Sequence, residues 1–134
     1  MSRQQDLVWL FSYGTLKPGM SNYKFIADSV LDAEPGAALG RMVDVADGEY
    51  PALIRGPIGG IDSDRYVLGW WLLITVDALR EADQIEEFFG MEEENFYERV
   101  WTKDLFNPNR EGWIYVWPSD RGRPTIDSTV WLPR

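Results

Sequence analysis

The stretch Val8-Trp9-Leu10-Phe11-Ser12-Tyr13-Gly14-Thr15-Leu16 constrains this chain more than any other. Four consecutive apolar residues, Val8 to Phe11, suit a strand covered on both faces. The run stops abruptly at a tyrosine, a glycine and a hydroxyl residue, and Gly14 allows a backbone turn denied to residues with a Cβ. A loop of this kind can aim successive N–H groups at one spot. The concavity so formed suits a carboxylate, or a carbonyl oxygen that gains charge. The same seven residues from Leu10 to Leu16 also satisfy a plain strand-to-turn junction with no chemistry.

The absence of two residue types narrows the chemistry. With no cysteine there are no disulfides, thiolate metal sites or thiol nucleophiles. With no histidine there is no Ser-His-Asp or Cys-His machinery and no imidazole-bound zinc, so proton transfer falls to a carboxylate, a tyrosine or a lysine. The 22 acidic against 13 basic side chains give a net charge of -9, which repels phosphate backbones and anionic lipid, so nucleic acid is not an expected partner. No segment approaches the ~18 apolar residues that span a bilayer, and the polar start Met1 to Asp6 lacks the marks of a secretory signal. A cytoplasmic protein without membrane contact is expected. Its 134 residues fit a single domain, 1–134.

Along the chain, Ser21 or Asn22 is positioned to cap a short helix through Tyr23 to Ala27. Ala37 to Val45 reads as a strand interrupted by Gly40, Asp47-Gly48 as a turn, and Tyr50 to Ile54 as a further extended piece. Gly56 to Gly60 lacks the ending of a phosphate-binding loop and reads as a plain turn. Tyr66 to Ile74 is a strand centred on Trp70 and Trp71, and a helix from about Asp77 to about Phe89 follows, capped by Thr75 or Asp77. Phe96 to Phe106 and Trp113 to Trp117 read as a hairpin across the turn residues Asn107 to Gly112, and Ile126 to Trp131 as a return to the sheet edge. Many short strands and one good helix predict an α+β (mixed α/β) fold, dominated by a mostly antiparallel, barrel-like sheet.

Which carboxylate sits where a carboxylate should not be? Advancing ~100° per residue, Ala78, Leu79, Ala82, Ile85 and Phe89 share one sector about 120° wide, and Glu86 falls inside it. Glu81 and Glu87 fall outside, and Asp83 lies nearer the margin. Burial of Glu86 would raise its pKa, and the helix-end carbonyls, Glu87 and Asp83 would push the same way. A carboxyl tuned toward neutral pH makes a general base and then a general acid. The alternative is a glutamate at a frayed helix end, turned to water or paired with Arg99. Glu92-Glu93-Glu94 and Asp62-Ser63-Asp64 lack the spacing of a calcium loop, so no metal site is expected.

Taken in order, Tyr13-Gly14-Thr15-Leu16, Tyr50-Pro51-Ala52, Asp83-x-x-Glu86, Tyr97-x-Arg99-Val100 and the late Trp131 resemble the γ-glutamyl cyclotransferase-like superfamily. That superfamily includes butirosin γ-glutamyl cyclotransferase, γ-glutamylamine cyclotransferase and the plant avirulence-induced-gene-like proteins. The resemblance spans nearly the whole chain. It implies a small β-barrel flanked by helices and a cofactor-free enzyme acting on a small γ-glutamyl molecule. In that reaction the α-amino group of the γ-glutamyl unit attacks its own γ-amide carbonyl, closing 5-oxoproline and expelling the amine. Glu86 matches the catalytic glutamate, and Tyr13, Gly14, Thr15 and Leu16 match the substrate-binding loop, with Tyr50 and Tyr97 lining the cavity. One departure is Glu87, where the family often has glycine. It leaves open whether Glu86 or Glu87 holds the catalytic register, although the helical sector favours Glu86. A non-catalytic small-molecule-binding module using the same cavity is the alternative function, and an interaction domain using exposed tryptophans is a third.

Overall fold

The computed structural model describes residues 6–45, 50–54, 65–86 and 96–131. The described elements run β1 (Leu7–Ser12), β2 (Val30–Leu39), β3 (Arg41–Val45), β4 (Tyr50–Ile54), β5 (Tyr66–Thr75), α1 (Val76–Ile85), β6 (Glu98–Lys103) and β7 (Glu111–Val116). The opening apolar run takes the central place in a five-stranded sheet of order β2-β5-β1-β7-β6. Because alternate side chains of a strand point to opposite faces, its residues divide between two cores. Val8 and Leu10 pack with Leu72, Ile74 and the helix residues Ala78, Leu79 and Ala82. Trp9 and Phe11 pack with Trp71, Ile114 and Trp131 on the other side. The expected covering of both faces is what makes a continuous apolar run stable here, each fully buried side chain contributing roughly 1.5–3 kcal/mol.

The sheet is mixed. β1 pairs antiparallel with β5, Leu10 opposite Leu72, and parallel with β7, Leu10 opposite Trp113. β6 and β7 form the expected antiparallel hairpin. The barrel expected from the sequence is not what the hydrogen bonds draw among the described residues. Among the described residues β2 and β6 are edges, and β3 and β4 form a separate two-stranded sheet that is bridged toward the larger one at Ile54 and Trp117. The reason lies at Gly40. Its φ of +148° turns the chain, so that what reads as one interrupted strand from Ala37 to Val45 becomes β2 in one sheet and β3 in another.

α1 begins where the sequence predicts, with the Thr75 hydroxyl accepting the Ala78 amide at 3.1 Å. It ends earlier than expected, at Ile85, with Glu86 as the C-terminal cap residue. The short helix expected near Tyr23 is two 3-10 turns, Tyr23–Phe25 and Ala27–Ser29. Neither Ser21 nor Asn22 caps it, because the Asn22 side chain is turned to the Thr15 hydroxyl, 2.9 Å away. The C-terminal segment returns to the sheets, with the Ile126 amide donating to Met42 at 2.8 Å and the Leu68 amide to Thr129 at 2.7 Å. Asp47-Gly48, Gly56 to Gly60, Asp62 to Asp64 and 87–95 lie outside the described residues.

Candidate active site

Where β1 ends, its loop, the end of α1, β4 and the start of β6 enclose a cleft of about 200 Å³. Tyr13, Gly14, Thr15, Leu16, Tyr50, Glu86 and Tyr97, all named from the sequence, line it together. The loop is fixed locally by the Lys17 amide bonding to the Gly14 carbonyl at 3.0 Å, and the Asn22 amide to the Thr15 carbonyl at 2.9 Å. No amide of Gly14, Thr15 or Leu16 donates to another described residue. Polar N–H groups left without a protein partner must be met by water or a ligand.

Gly14 does not serve the purpose that its sequence context suggests. Its φ is not positive, unlike those of Gly19, Gly40 and Gly122. Its requirement is steric, since a Cβ there would stand 3.0 Å from both Cγ and Cδ of Pro51. The missing side chain lets the loop lie directly on β4.

The tyrosines are more committed than a sequence can disclose. The buried Tyr13 hydroxyl donates to the Tyr115 carbonyl at 2.5 Å and accepts the Leu53 amide at 2.9 Å, joining β7 to β4 beneath the cleft. The Tyr97 hydroxyl donates to the Pro51 carbonyl at 2.7 Å. That of Tyr115 donates to Asp83 Oδ1 at 2.6 Å. Tyr50, packed edge-on against Phe96, is the exception, with no hydrogen bond from its hydroxyl to a described residue. Burial raises the Tyr13, Tyr97 and Tyr115 hydroxyls far above an ordinary phenol, and the nearby Glu86 charge adds to this in all three. They stay neutral at any working pH.

Glu86 is therefore the cleft's one group, among the described residues, that can exchange a proton near neutrality. Surrounding protein excludes enough water to push its carboxyl up from 4.5 to about 7, although one side stays open to the cleft and leaves the residue partly exposed. Burial is the cause, in place of the several additive charges that the sequence suggests. Asp83 stands beside it, but its charge is answered by Arg99, whose Nε lies 2.8 Å from Asp83 Oδ1. The alternative of a Glu86–Arg99 pair is thus not realised. Asp83 itself is raised by burial, opposed by the bonds to Tyr115 and Arg99.

Sequence reasoning missed Ser12, Asn22, Phe96 and Tyr115 in the lining. Tyr115 had a signal available, since strand alternation from Trp113 puts both on the face that packs on α1. Among the described residues no group of three acids or other ligating side chains could hold a metal ion, and no helix is long and apolar enough to cross a membrane.

These features define a small α+β protein whose cleft is lined, among the described residues, by one carboxylate and by a loop with three amides that have no described partner. A model of the family described as gamma-glutamyl cyclotransferase, AIG2-like matches residues 10–133, and the chain belongs to that family. Gamma-L-glutamyl-butirosin B gamma-glutamyl cyclotransferase of Niallia circulans is similar at 29% identity over 113 residues, covering 83% of this chain and 67% of that one. In fold the chain is similar to an AIG2-like protein from Mus musculus, with a TM-score of 0.67 and 21% identity over 96% of this chain and 97% of that one. It is similar as well to YkqA from Bacillus subtilis, with a TM-score of 0.68 and 20% identity. There it matches 94% of its own length but spans only 40% of the larger chain.

Proposed function

We propose that the protein is a γ-glutamyl cyclotransferase acting on a γ-glutamyl amine or peptide, with Glu86 as general base and then general acid. The observation that carries this reading is a partly desolvated carboxylate in the same cleft as three loop amides that have no described protein partner. Ionised Glu86 takes a proton from the substrate's α-ammonium. The freed nitrogen attacks the γ-carbonyl carbon, and the amides of Gly14, Thr15 and Leu16 donate to the oxygen that gains charge. The ring C–N bond stays, the bond to the amine breaks, Glu86 returns its proton to the leaving nitrogen, and the second proton of the ring nitrogen passes to water or to the released amine. The products are 5-oxoproline and a free amine.

Both reacting groups belong to one molecule, so holding the glutamyl chain folded replaces much covalent machinery and supports a cofactor-free reaction. Tyr13 and Tyr97 act as walls whose hydroxyls are already used, whereas Tyr50 keeps a hydroxyl to offer the substrate. The test is incubation with a panel of γ-glutamyl amines and peptides, with 5-oxoproline followed by mass spectrometry in the wild type and Glu86→Gln. Release that depends on Glu86 supports the reading. Thermal stabilisation by these compounds without turnover on any of them would indicate a binding module instead.

A further inference from the structure

The loop that carries the amides of Gly14, Thr15 and Leu16 is tied down at both ends by buried side chains. At its start the Tyr13 hydroxyl holds the Tyr115 carbonyl and the Leu53 amide. At its end Lys17, only 6% exposed, reaches a distant part of the chain in the same way: its Nζ donates to the Trp131 carbonyl at 2.7 Å, 114 residues further on. Trp131 is itself buried, in the core that also holds Phe11 and Tyr13, so the second tether ends in the region where the ring of the first is packed. Lys17 closes the loop along the backbone as well, its amide on the Gly14 carbonyl at 3.0 Å. One residue thus sets both the local turn of the loop and its attachment to the C-terminal segment.

A lysine at this position carries an energetic cost. Its ammonium has three donors, and the Trp131 carbonyl is the one hydrogen-bond acceptor it has among the described residues. The Trp131 ring centre lies 6.0 Å away, and no described carboxylate pairs with the charge. Burial pushes the ammonium below the ordinary lysine pKa. A buried charge without a counter-charge destabilises, so an apolar chain of the same length would serve packing better. What the ammonium supplies, and an apolar chain lacks, is a directed bond from the loop to the C-terminal segment. Amides that are to meet a developing oxyanion must stand still, since a misplacement of about 1 Å can cost about a hundredfold in rate.

We propose that Lys17 is a positioning residue for the cleft: its buried ammonium clamps the loop to the main chain at Trp131 and so holds the three amides in place. The catalytic weight of the clamp rests on the cyclotransferase reading. The clamp itself is seen in the motion of the loop and needs no turnover.

The absence of cysteine from the chain allows a chemical test. A Lys17→Cys variant, alkylated in denaturant and refolded, carries either an aminoethyl group, which restores the length and the ammonium of lysine, or a propyl group of the same length without donors. Both forms are compared with wild type and Lys17→Met by nitrogen-15 relaxation at Gly14, Thr15 and Leu16, and by kinetics on the γ-glutamyl compound of the panel that is turned over fastest. Wild type and the aminoethyl form are expected to show backbone order parameters of about 0.85 at these amides, and the propyl form and Lys17→Met values below about 0.6. In the latter two, kcat should fall about tenfold with KM within about twofold of wild type. Amides as ordered in the propyl form and Lys17→Met as in wild type overturn the proposal. So does a loss of order that the aminoethyl group does not repair, or a wild-type rate in a protein whose loop has loosened. If the alkylated forms do not refold, Lys17→Met and Lys17→Arg, expressed directly, decide in their place: order lost in the first and kept in the second supports the clamp, and any other pattern refutes it. If the loop loosens as expected in a protein that never forms 5-oxoproline, the clamp stands and the cyclotransferase reading fails.

Discussion

The hydroxyl of Tyr13, the residue just before the loop amides begin, donates to the main-chain carbonyl of Tyr115, 102 positions further along the chain. It accepts the Leu53 amide at the same time. One phenol thus satisfies two backbone groups from different sheets. Tyr13→Phe keeps the ring and leaves both groups buried without a partner. Unpaired buried polar groups cost about 1–3 kcal/mol each, so a loss of about 3 kcal/mol is expected, read as a lower urea midpoint with an unchanged m-value.

Glu86, the proposed proton carrier, also makes stability depend on pH. Its folded pKa of about 7 lies above the ordinary 4.5, so between these values the folded state holds a proton that the unfolded state has released. The associated stability is fully present below about 4.5 and is lost as pH rises through about 7. Glu86→Gln, which cannot ionise, should match wild type near pH 4 and exceed it at pH 8 by up to roughly 3 kcal/mol. In the same variant, 5-oxoproline release should fall by about 10²–10⁴-fold. Urea titrations at both pH values, beside the activity assay, check the two halves.

Asp104 has the opposite sign. Burial works against its charge, but the Ala37 amide and Trp71 Nε1 each bond to one oxygen at 2.8 Å, and the Asn107 and Phe106 amides bond to the other at 2.7 and 3.0 Å. These donors prevail and lower its pKa below the usual 3.8. Its contribution is present above 3.8 and lost as pH falls through the lower folded value. Asp104→Asn turns an amide toward donors, and a loss on the order of 3 kcal/mol is expected at pH 7. Denaturation at successively lower pH should find that deficit shrinking.

Gly14→Ala tests the contact between loop and β4. Its φ is not positive, but the new methyl meets the Pro51 ring at 3.0 Å, so loop and ring must part by a few tenths of an ångström. Such a shift disturbs alignment more than stability. Turnover should drop roughly tenfold, with a change in unfolding free energy below about 1 kcal/mol. Paired kinetics and thermal melts separate these effects.

What the sequence disclosed depended on periodicity. The ~100° advance along α1 singled out Glu86 because Ala78, Leu79 and Ala82 are small or apolar and share a face, which the folded chain buries. The run from Val8 to Phe11 announced a doubly covered strand for the same kind of reason. Relations set by distant partners were hidden. Nothing near Gly40 states that two sheets part there, and nothing near Leu10 states that Trp113 will lie parallel to it. The Asp83–Arg99 pair is met by Tyr115 and Trp113, which belong to another strand. Gly14 was marked as special for the wrong reason, since loop-to-strand packing leaves no local trace.

The parallel pairing of β1 with β7 also governs when the cleft can exist. During synthesis β1 keeps one side unanswered even after β5 is available, until Glu111–Val116 has been made. Contacts across such long loops form slowly, so the pocket is assembled late, and a ribosome-bound fragment ending before Glu111 has no floor beneath Tyr13.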